Sequence, residues 1–167
     1  SGGVASPIHL TAQLLQNLTA TELLHVPYKG AAPAVIALAG GEVLVAFSSV
    51  AAALPMIQAK RLNALAVSSG KRTGTLPEVP TVSESGVPGF DVTPSYGVLG
   101  PRGMPAAVIQ SLNAEIRRIV QMDDVKAKLA SQALDAASST PGEFRAVIEA
   151  EMMQWARVIK DSNIPVN

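Results

Sequence analysis

Three short groups of small, hydroxylic or cationic residues each follow an apolar stretch of the chain, and this placement suits the binding of an anion. The groups are Tyr28-Lys29-Gly30, Ser48-Ser49 and Ser68-Ser69-Gly70. Each apolar stretch has the length and composition of a buried β-strand. In a parallel α/β sheet, ligands bind beyond the carboxyl ends of the strands, where helix N-termini face the crevice. We therefore expect these groups to lie near a ligand site.

A further candidate is the start of the first predicted helix. Ser6 has the residue type of an N-cap, and Pro7 suits the first helical position. The free N–H groups at Ser6 to Ile8 can receive a carboxylate, because a helix N-terminus carries unsatisfied donors and a partial positive charge. The preceding Gly2-Gly3-Val4-Ala5 resembles a phosphate loop only in its small residues, since Gly-x-x-x-x-Gly-Lys is absent.

The chain contains only two histidines, His9 and His25, and no cysteine. A metal site would have to be mainly carboxylate, yet no Asp/Glu cluster has ligand spacing, so we predict no metal site. His9, on a helix after a Ser-Pro turn, is either a satisfied polar residue or an orienting residue at the crevice. His25 lies inside a predicted strand and is interpreted as structural.

A Ser-His-acid triad can be written from Ser6, His9 and Glu22, but the surrounding sequence does not support one. It has no Gly-x-Ser-x-Gly elbow and no acid placed to orient a histidine. Lys29 is either a charge partner for an anion or a solvated turn residue, and Ser48 and Ser49 can serve as a helix cap, a ligand contact or both. We predict no catalytic residue, no cofactor and no enzymatic activity.

The composition is that of a globular chain with little charge. Of its 167 residues, 48% are hydrophobic and 16% are charged, and 13 Lys and Arg balance 13 Asp and Glu. A neutral chain with 4% aromatic residues offers nucleic acids neither attraction nor a stacking surface. The lack of cysteine excludes disulfides and thiol nucleophiles but leaves the compartment open. No apolar run has the length of a membrane span, and Ser1 to Val4 lack the pattern of a signal peptide.

Alternating strands and helices must position these candidate residues. Between Thr21 and Ser49 the pattern predicts a compact strand-helix-strand unit, which a further helix and strand follow. This order, with its short turns, predicts a parallel sheet. The predicted strands are Leu23 to Val26, Val43 to Phe47 and Leu62 to Val67, and the predicted helices are Pro7 to Leu18, Ala31 to Ala39 and Val50 to Ala59.

The rest of the chain has a different character. Residues 68–103 are rich in Gly and Pro, and the boundary between two lobes is expected near residues 93–100. In the last predicted helix, Thr140 as N-cap and Glu143 three residues later predict a capping box. The predicted elements here are a short helix at Thr81 to Ser85, extended segments at 90–93 and 96–99, helices at Pro105 to Gln121, Asp123 to Ser131 and Pro141 to Ser162, and a short strand at Leu134 to Ser138.

Several short motifs, in their order along the chain, resemble those of a known receptor family. The motifs are Ser6-Pro7-Ile8-His9-Leu10, His25-Val26-Pro27-Tyr28-Lys29-Gly30, Ala32-Pro33-Ala34, Gly40-Gly41, Leu76-Pro77-Glu78-Val79-Pro80-Thr81-Val82 and Tyr96-Gly97. From about Gly3 to Ile164, the chain is similar to the extracytoplasmic solute receptors of tripartite tricarboxylate transporters, also called the Bug family. It departs from the family pattern at Ser48, where many members have an Asp.

The resemblance implies an α/β, periplasmic-binding-protein-like fold, in which two lobes close on a small carboxylate. Residues 1–97 would form the second, parallel-sheet lobe. Residues 98–167 would be the return segment and the C-terminal helices, which complete the first lobe. The signal peptide and most of the first lobe would then lie outside this chain.

The function that the resemblance implies is capture of a di- or tricarboxylate in the periplasm for a secondary transporter. Binding would be non-covalent, through backbone N–H groups and loop hydroxyls. Membrane transporter subunits would be partners, and nucleic acid would not. The predicted ligand-binding residues are Gly3, Ser6, His9, Tyr28, Lys29, Gly30, Ala31, Ser48 and Ser49.

Two other function classes stay open. A small-molecule enzyme, such as a transferase, would use the same crevice but needs an acid, base or nucleophile that the sequence does not supply. A non-binding oligomerisation module would associate through the surface that the first lobe covers. The apolar stripes of the C-terminal helices predict self-association of this chain, because large exposed apolar patches drive association.

Overall fold

The computed structural model describes residues 1–162 and 164. This part of the chain divides into two compact units, residues 1–93 with the chain from Gln154 onward, and residues 94–153. The units do not identify lobes, so the assignment of residues 1–97 and 98–167 to two lobes stays a prediction. The helices are α1 Pro7–Thr19, α2 Ala31–Ala39, α3 Val50–Gln58, α4 Ala106–Val120, α5 Asp123–Ala130 and α6 Pro141–Asp161.

Side-chain caps start two of the helices where the sequence predicts them. Ser6 Oγ accepts the N–H of His9 at 3.3 Å and caps α1. At the start of α6, Thr140 Oγ1 accepts the N–H of Glu143 at 3.2 Å, and the Glu143 carboxylate accepts the N–H of Thr140 at 2.7 Å. This reciprocal pair confirms the predicted capping box. Hydrogen bonds from the Thr140 backbone and hydroxyl lower the pKa of Glu143.

The predicted strands at 23–26, 43–47 and 62–67 do not pair into a sheet, and these predictions were wrong. The described residues contain a single parallel β-bridge, between Val67 and Thr81, and no continuous strand. An apolar pattern reports a local preference, whereas a strand forms only when a neighbouring backbone accepts its ladder of hydrogen bonds. One side chain in each segment is also largely uncovered: the exposed fractions are 94% for Leu24, 99% for Leu44 and 72% for Leu65.

Two further local predictions differ from the structure. Residues 81–85 form a hydrogen-bonded turn rather than a helix. In this turn the Glu84 carboxylate accepts the N–H of Thr81 at 2.8 Å and Nε–H of Arg72 at 2.9 Å, which fixes the chain after a single turn. Residues 134–138 form no strand, because no neighbouring segment pairs with their backbone.

The buried side chains belong to the first unit. Leu10 of α1, Val158 of α6 and Ile164 form an apolar cluster, and Trp155 packs against it. Helix α2 packs against α3 and buries Val35. In residues 94–153, all of which the structure describes, no residue is buried. The hydrophobic stabilisation of the chain is therefore concentrated in the first unit.

Hydrogen bonds order the part of the Gly- and Pro-rich segment that belongs to the first unit. The N–H of Val92 donates to the Ser68 carbonyl at 2.8 Å, and the Ser68 hydroxyl donates to the Val92 carbonyl at 2.9 Å. Beside this pair, the Asp91 carboxylate accepts the N–H of Gly70 at 2.8 Å. These hydrogen bonds hold residues 91–92 against residues 68–70 without a strand ladder.

Gly70→Ala is expected to lower the free energy of unfolding by about 1 kcal/mol, the value of one partly exposed hydrogen bond. A Cβ at Gly70 would lie 2.5 Å from Asp91 Oδ2, so the carboxylate must move away from the Gly70 N–H. Gly40→Ala is the matched control, because the nearest atom would be 3.5 Å from its Cβ and its φ is −85°. Urea unfolding of both variants measures the difference. In an Asp91→Ala background the effect of Gly70→Ala should vanish, and an unchanged effect would contradict the assigned contact.

Candidate functional site

Residues 1–6, which precede α1, lie against residues 27–31, which lead into the first residue of α2, and we call these two segments the paired turns. The N–H of Tyr28 donates to the carbonyl of Ser1 at 2.9 Å. The contact places Ser1 and Gly2 beside the turn that leads into α2, and a Cβ on Gly2 would lie 3.5 Å from the backbone nitrogen of Ala31. The paired turns contain most of the residues predicted to bind ligand, namely Gly3, Ser6, Tyr28, Lys29, Gly30 and Ala31.

Glycines allow this close approach of the two backbones. A Cβ on Gly2 would lie 3.4 Å from the carbonyl carbon of Gly30, so the segments are in van der Waals contact. Gly3 has a φ of 136°, and Gly30 has a φ of 111° with a ψ of 176°. Residues with a Cβ rarely adopt these conformations. The positions therefore need glycine for backbone geometry, even though Gly30 has open space around it.

The donors at this site are backbone N–H groups. The first amides of a helix have no acceptor within the helix. In α1 the first such N–H belongs to Ile8, since Pro7 has none, and in α2 they belong to Ala31 and Ala32. Gly30 occupies the N-cap of α2 and supplies no side-chain cap. Amides at a helix start are suited to bind a carboxylate, because the positive end of the helix dipole adds to the hydrogen bonds.

The Ser6 hydroxyl is already engaged within the chain. It donates to the Gly3 carbonyl at 2.8 Å and accepts the N–H of His9 at 3.3 Å. Ser6 therefore orders the first of the paired turns. It contacts the backbone of His9 and not the imidazole, and no hydrogen bond among the described residues joins either side chain to Glu22.

The two histidines stack on each other beside the paired turns. Their ring centroids are 3.8 Å apart and their planes differ by 11°. His9 Nδ1 accepts the N–H of Ala5 at 3.1 Å, and His25 Nε2 lies 2.5 Å from Ser1 Oγ. Burial lowers the pKa of both rings, and the neighbouring His9 ring lowers the pKa of His25 further. The sequence predicts a structural role for His25 that is unrelated to His9, and no local sequence signal indicates that the two rings are in contact.

Ser48 and Ser49 precede α3, and no described hydrogen bond joins them to the paired turns. Ser49 is the N-cap of α3 without a side-chain capping bond. Ser48 Oγ is buried and has no hydrogen-bond partner within the described part of the chain. A buried hydroxyl usually has a partner. The Lys29 side chain is exposed and forms no ion pair with any described residue.

The third group from the sequence analysis is occupied by internal contacts. Ser68 bonds with Val92 and Gly70 with Asp91, while the Ser69 hydroxyl donates to the Lys71 carbonyl at 2.7 Å. Within residues 1–162 and 164, no three His, Cys, Asp or Glu side chains are placed to hold a metal ion. None of the helices in these residues combines the length and the apolar character of a membrane span.

The chain matches known sequences along almost its whole length. The model of the tripartite tricarboxylate transporter family receptor (TctC) matches residues 1–164. The UPF0065 protein in the tcbD-tcbE intergenic region of Pseudomonas sp. (strain P51) is 38% identical over 168 residues, which cover 100% of this chain and 50% of that protein. Protein BugT of Bordetella pertussis is 34% identical, over 95% of this chain and 49% of BugT. The chain thus spans about half the length of these relatives.

Solved structures agree with this match. Rpa4515 of R. palustris, determined with adipate, has a TM-score of 0.80 at 33% identity, over 95% of this chain and 53% of that one. The periplasmic binding protein BugD has a TM-score of 0.74 at 28% identity, over 93% and 53%. MatC from Rhodopseudomonas palustris, with bound malate, has a TM-score of 0.69 at 26% identity, over 90% and 52%.

These matches confirm the predicted fold class, α/β and periplasmic-binding-protein-like, with this chain corresponding to about half of each structure. They also confirm the family that the motifs of the sequence resemble. Receptors of this type are periplasmic solute-binding proteins. The chain belongs to the tripartite tricarboxylate transporter receptor family.

Proposed function

We propose that this chain contributes a carboxylate-binding surface to a periplasmic receptor that captures a small di- or tricarboxylate for a secondary transporter. The observation that supports it most is the contact of the paired turns, in which Ser1 and Gly2 lie against the turn that leads to the free backbone amides at the start of α2. Two structures similar to this chain contain adipate and malate, both dicarboxylates. A dicarboxylate can place one carboxylate at these amides.

The proposed roles of the predicted residues differ. Gly3 and Gly30 give the turns their shape, and the backbone from Gly30 to Ala31 donates to the ligand. Ser6 and His9 position the first turn, since their polar atoms bond within the chain. Tyr28 and Lys29 border the site. Ser48, with an unpaired buried hydroxyl, and Ser49 at the start of α3 provide a second group of contacts.

The two-lobe arrangement belongs to the same proposal. Residues 1–97 form the second lobe, and residues 98–167 contribute the helices that complete the first. The chain passes from one compact unit to the other between Thr93 and Pro94, and this position supports a lobe boundary near residue 97. The partners are then the membrane subunits of the transporter, and the receptor works in the periplasm without enzymatic turnover.

A titration of the chain with malate or adipate, followed by amide NMR, tests the proposed function. We expect weak, saturable shifts at Gly3, Ile8, Gly30 and Ala31, because a receptor that closes two lobes draws binding energy from both. Residues 123–130 serve as the internal control and should not shift. The dimethyl ester of adipate should have no effect, since it lacks the charge. No saturable shift at tens of millimolar diacid, or equal shifts with the ester, would contradict the proposal.

Gly30→Ala should abolish the diacid-induced shifts, because a Cβ disfavours the conformation that the turn before α2 requires. Gly41→Ala is the matched control. Gly41 also has a positive φ, 78°, and also has no atom within 4 Å of a built Cβ, but it follows α2. Both variants should lose about 1–3 kcal/mol of stability from the strained backbone. If both bind the diacid equally well, the turn at Gly30 does not form the site.

The chain is also expected to self-associate. In residues 94–153 no side chain is buried, and Leu112 of α4 is 49% exposed. Light scattering at tens of micromolar should show dimers or larger species, and Leu112→Glu should shift the mass toward the monomer. Gln110→Glu adds the same charge to the same helix and should leave the mass unchanged. A monomeric mass at every concentration would contradict the predicted self-association.

A further inference from the structure

The stacked histidines connect the two elements of the proposed site. His9 is the third residue of α1, directly after the first of the paired turns, and His25 precedes the second turn by two residues. Their parallel rings lie 3.8 Å apart, and His9 is only 7% exposed. A change of charge on either ring therefore acts on the contact between the paired turns.

The protonation state of His9 follows from its hydrogen bond. The N–H of Ala5 donates to His9 Nδ1 at 3.1 Å, so this nitrogen is an acceptor and carries no proton. Ala5 has a φ of 54°, in the left-handed region that residues with a Cβ disfavour. The bond to His9 thus helps to hold Ala5 in a strained conformation, one residue before the Ser6 cap.

We propose that protonation of His9 at Nδ1 releases Ala5 and opens the first of the paired turns, which makes the ligand site sensitive to mild acid. Protonation turns Nδ1 from an acceptor into a donor. It then faces the Ala5 N–H, which is also a donor, so the hydrogen bond is lost. Ala5 then relaxes from the left-handed region. The effect on ligand rests on the proposed function, whereas the opening of the turn does not.

The charges around His9 oppose its protonation. His25 stacks on it, and two protonated rings at this distance repel each other. His9 also occupies the first turn of α1, at the positive end of the helix dipole. No carboxylate of the described residues forms an ion pair with either ring.

The sign of the pH effect follows from these surroundings. In the folded chain the pKa of His9 and of His25 is lowered, first by burial. The unfolded chain, with ordinary histidines near 6.5, therefore binds more protons below this pH. Stability is fully present above about pH 6.5 and falls as the pH drops toward the lower pKa of the folded state. If the histidine instead contacted the ligand carboxylate directly, the pH effect on binding would have the opposite sign, because a protonated ring would bind the carboxylate more strongly.

Amide and imidazole NMR of the full chain between pH 7.5 and 5 tests the proposal. The amide of Ala5 should shift with the same midpoint as the His9 ring, and its hydrogen-exchange protection should fall about two- to tenfold, as expected for one lost hydrogen bond. The amide of Val82, buried in another part of the first unit, is the control and should not follow this midpoint. An Ala5 amide that does not follow the His9 titration would overturn the proposal.

Two substitutions of His9 distinguish the effect of its hydrogen-bond acceptor from the effect of its aromatic ring. His9→Asn keeps an acceptor near the position of Nδ1 but does not titrate, so Ala5 should stay protected at all pH values in this range. His9→Phe keeps the stack on His25 but has no acceptor, so Ala5 should be unprotected even at pH 7.5. Protection of Ala5 that is the same in wild type and His9→Phe at pH 7.5 would show that the bond does not hold the turn.

The same samples, titrated with malate, separate this proposal from the proposed function. If Ala5 follows the His9 titration but malate shifts no amide at any pH, the proton-controlled turn stands and the carboxylate site is contradicted. If malate binds in wild type and the affinity falls with the His9 midpoint, while His9→Asn binds equally at both pH values, both proposals hold. If malate binds equally to wild type at pH 7.5 and 5.5, the acid sensitivity of the site is contradicted and the proposed function stands.

Discussion

The close approach of two backbones at Gly2 and Gly30 is the constraint on which the candidate site depends. A Cβ at Gly2 would lie 3.4 Å from the carbonyl carbon of Gly30, so the two backbones are in van der Waals contact. The hydrogen bond from Tyr28 to Ser1 fixes the register of the approach. Because the second segment leads directly into α2, the contact places Ser1 and Gly2 beside the amides at the start of α2 that have no acceptor in the helix.

The proposed site relies on backbone amides rather than on charged side chains. Ser6 and Ser68 use their hydroxyls to hold backbone carbonyls, and Lys29 is exposed. In the proposed site the fixed dipoles of the backbone would supply the positive potential, so that a carboxylate would need no buried cation there. Ser48 is different, because its buried hydroxyl has no partner among the described residues.

The stability of the first unit depends on contacts between distant parts of the chain. Leu10 of α1 packs with Val158 and Ile164, and Asn17 donates to the Ser162 hydroxyl at 2.9 Å. This cluster also includes Ala5, so the turn that His9 holds packs against the core. A change at the first paired turn is therefore coupled to the packing of α1, and Trp155, the single tryptophan, packs against the same cluster.

The sequence by itself determined the features that depend on neighbours along the chain. The Ser6 cap and the capping box of Thr140 and Glu143 were predicted because their partners lie three residues apart. The family was likewise identified from short motifs, because each motif is a run of neighbouring residues. Only the tertiary structure decided whether the apolar segments pair as strands, that His25 stacks on His9, and that Ser6 donates to Gly3 rather than offering its proton to a ligand. These outcomes depend on groups far apart in sequence or on competition between donors, and neither is encoded in a local pattern.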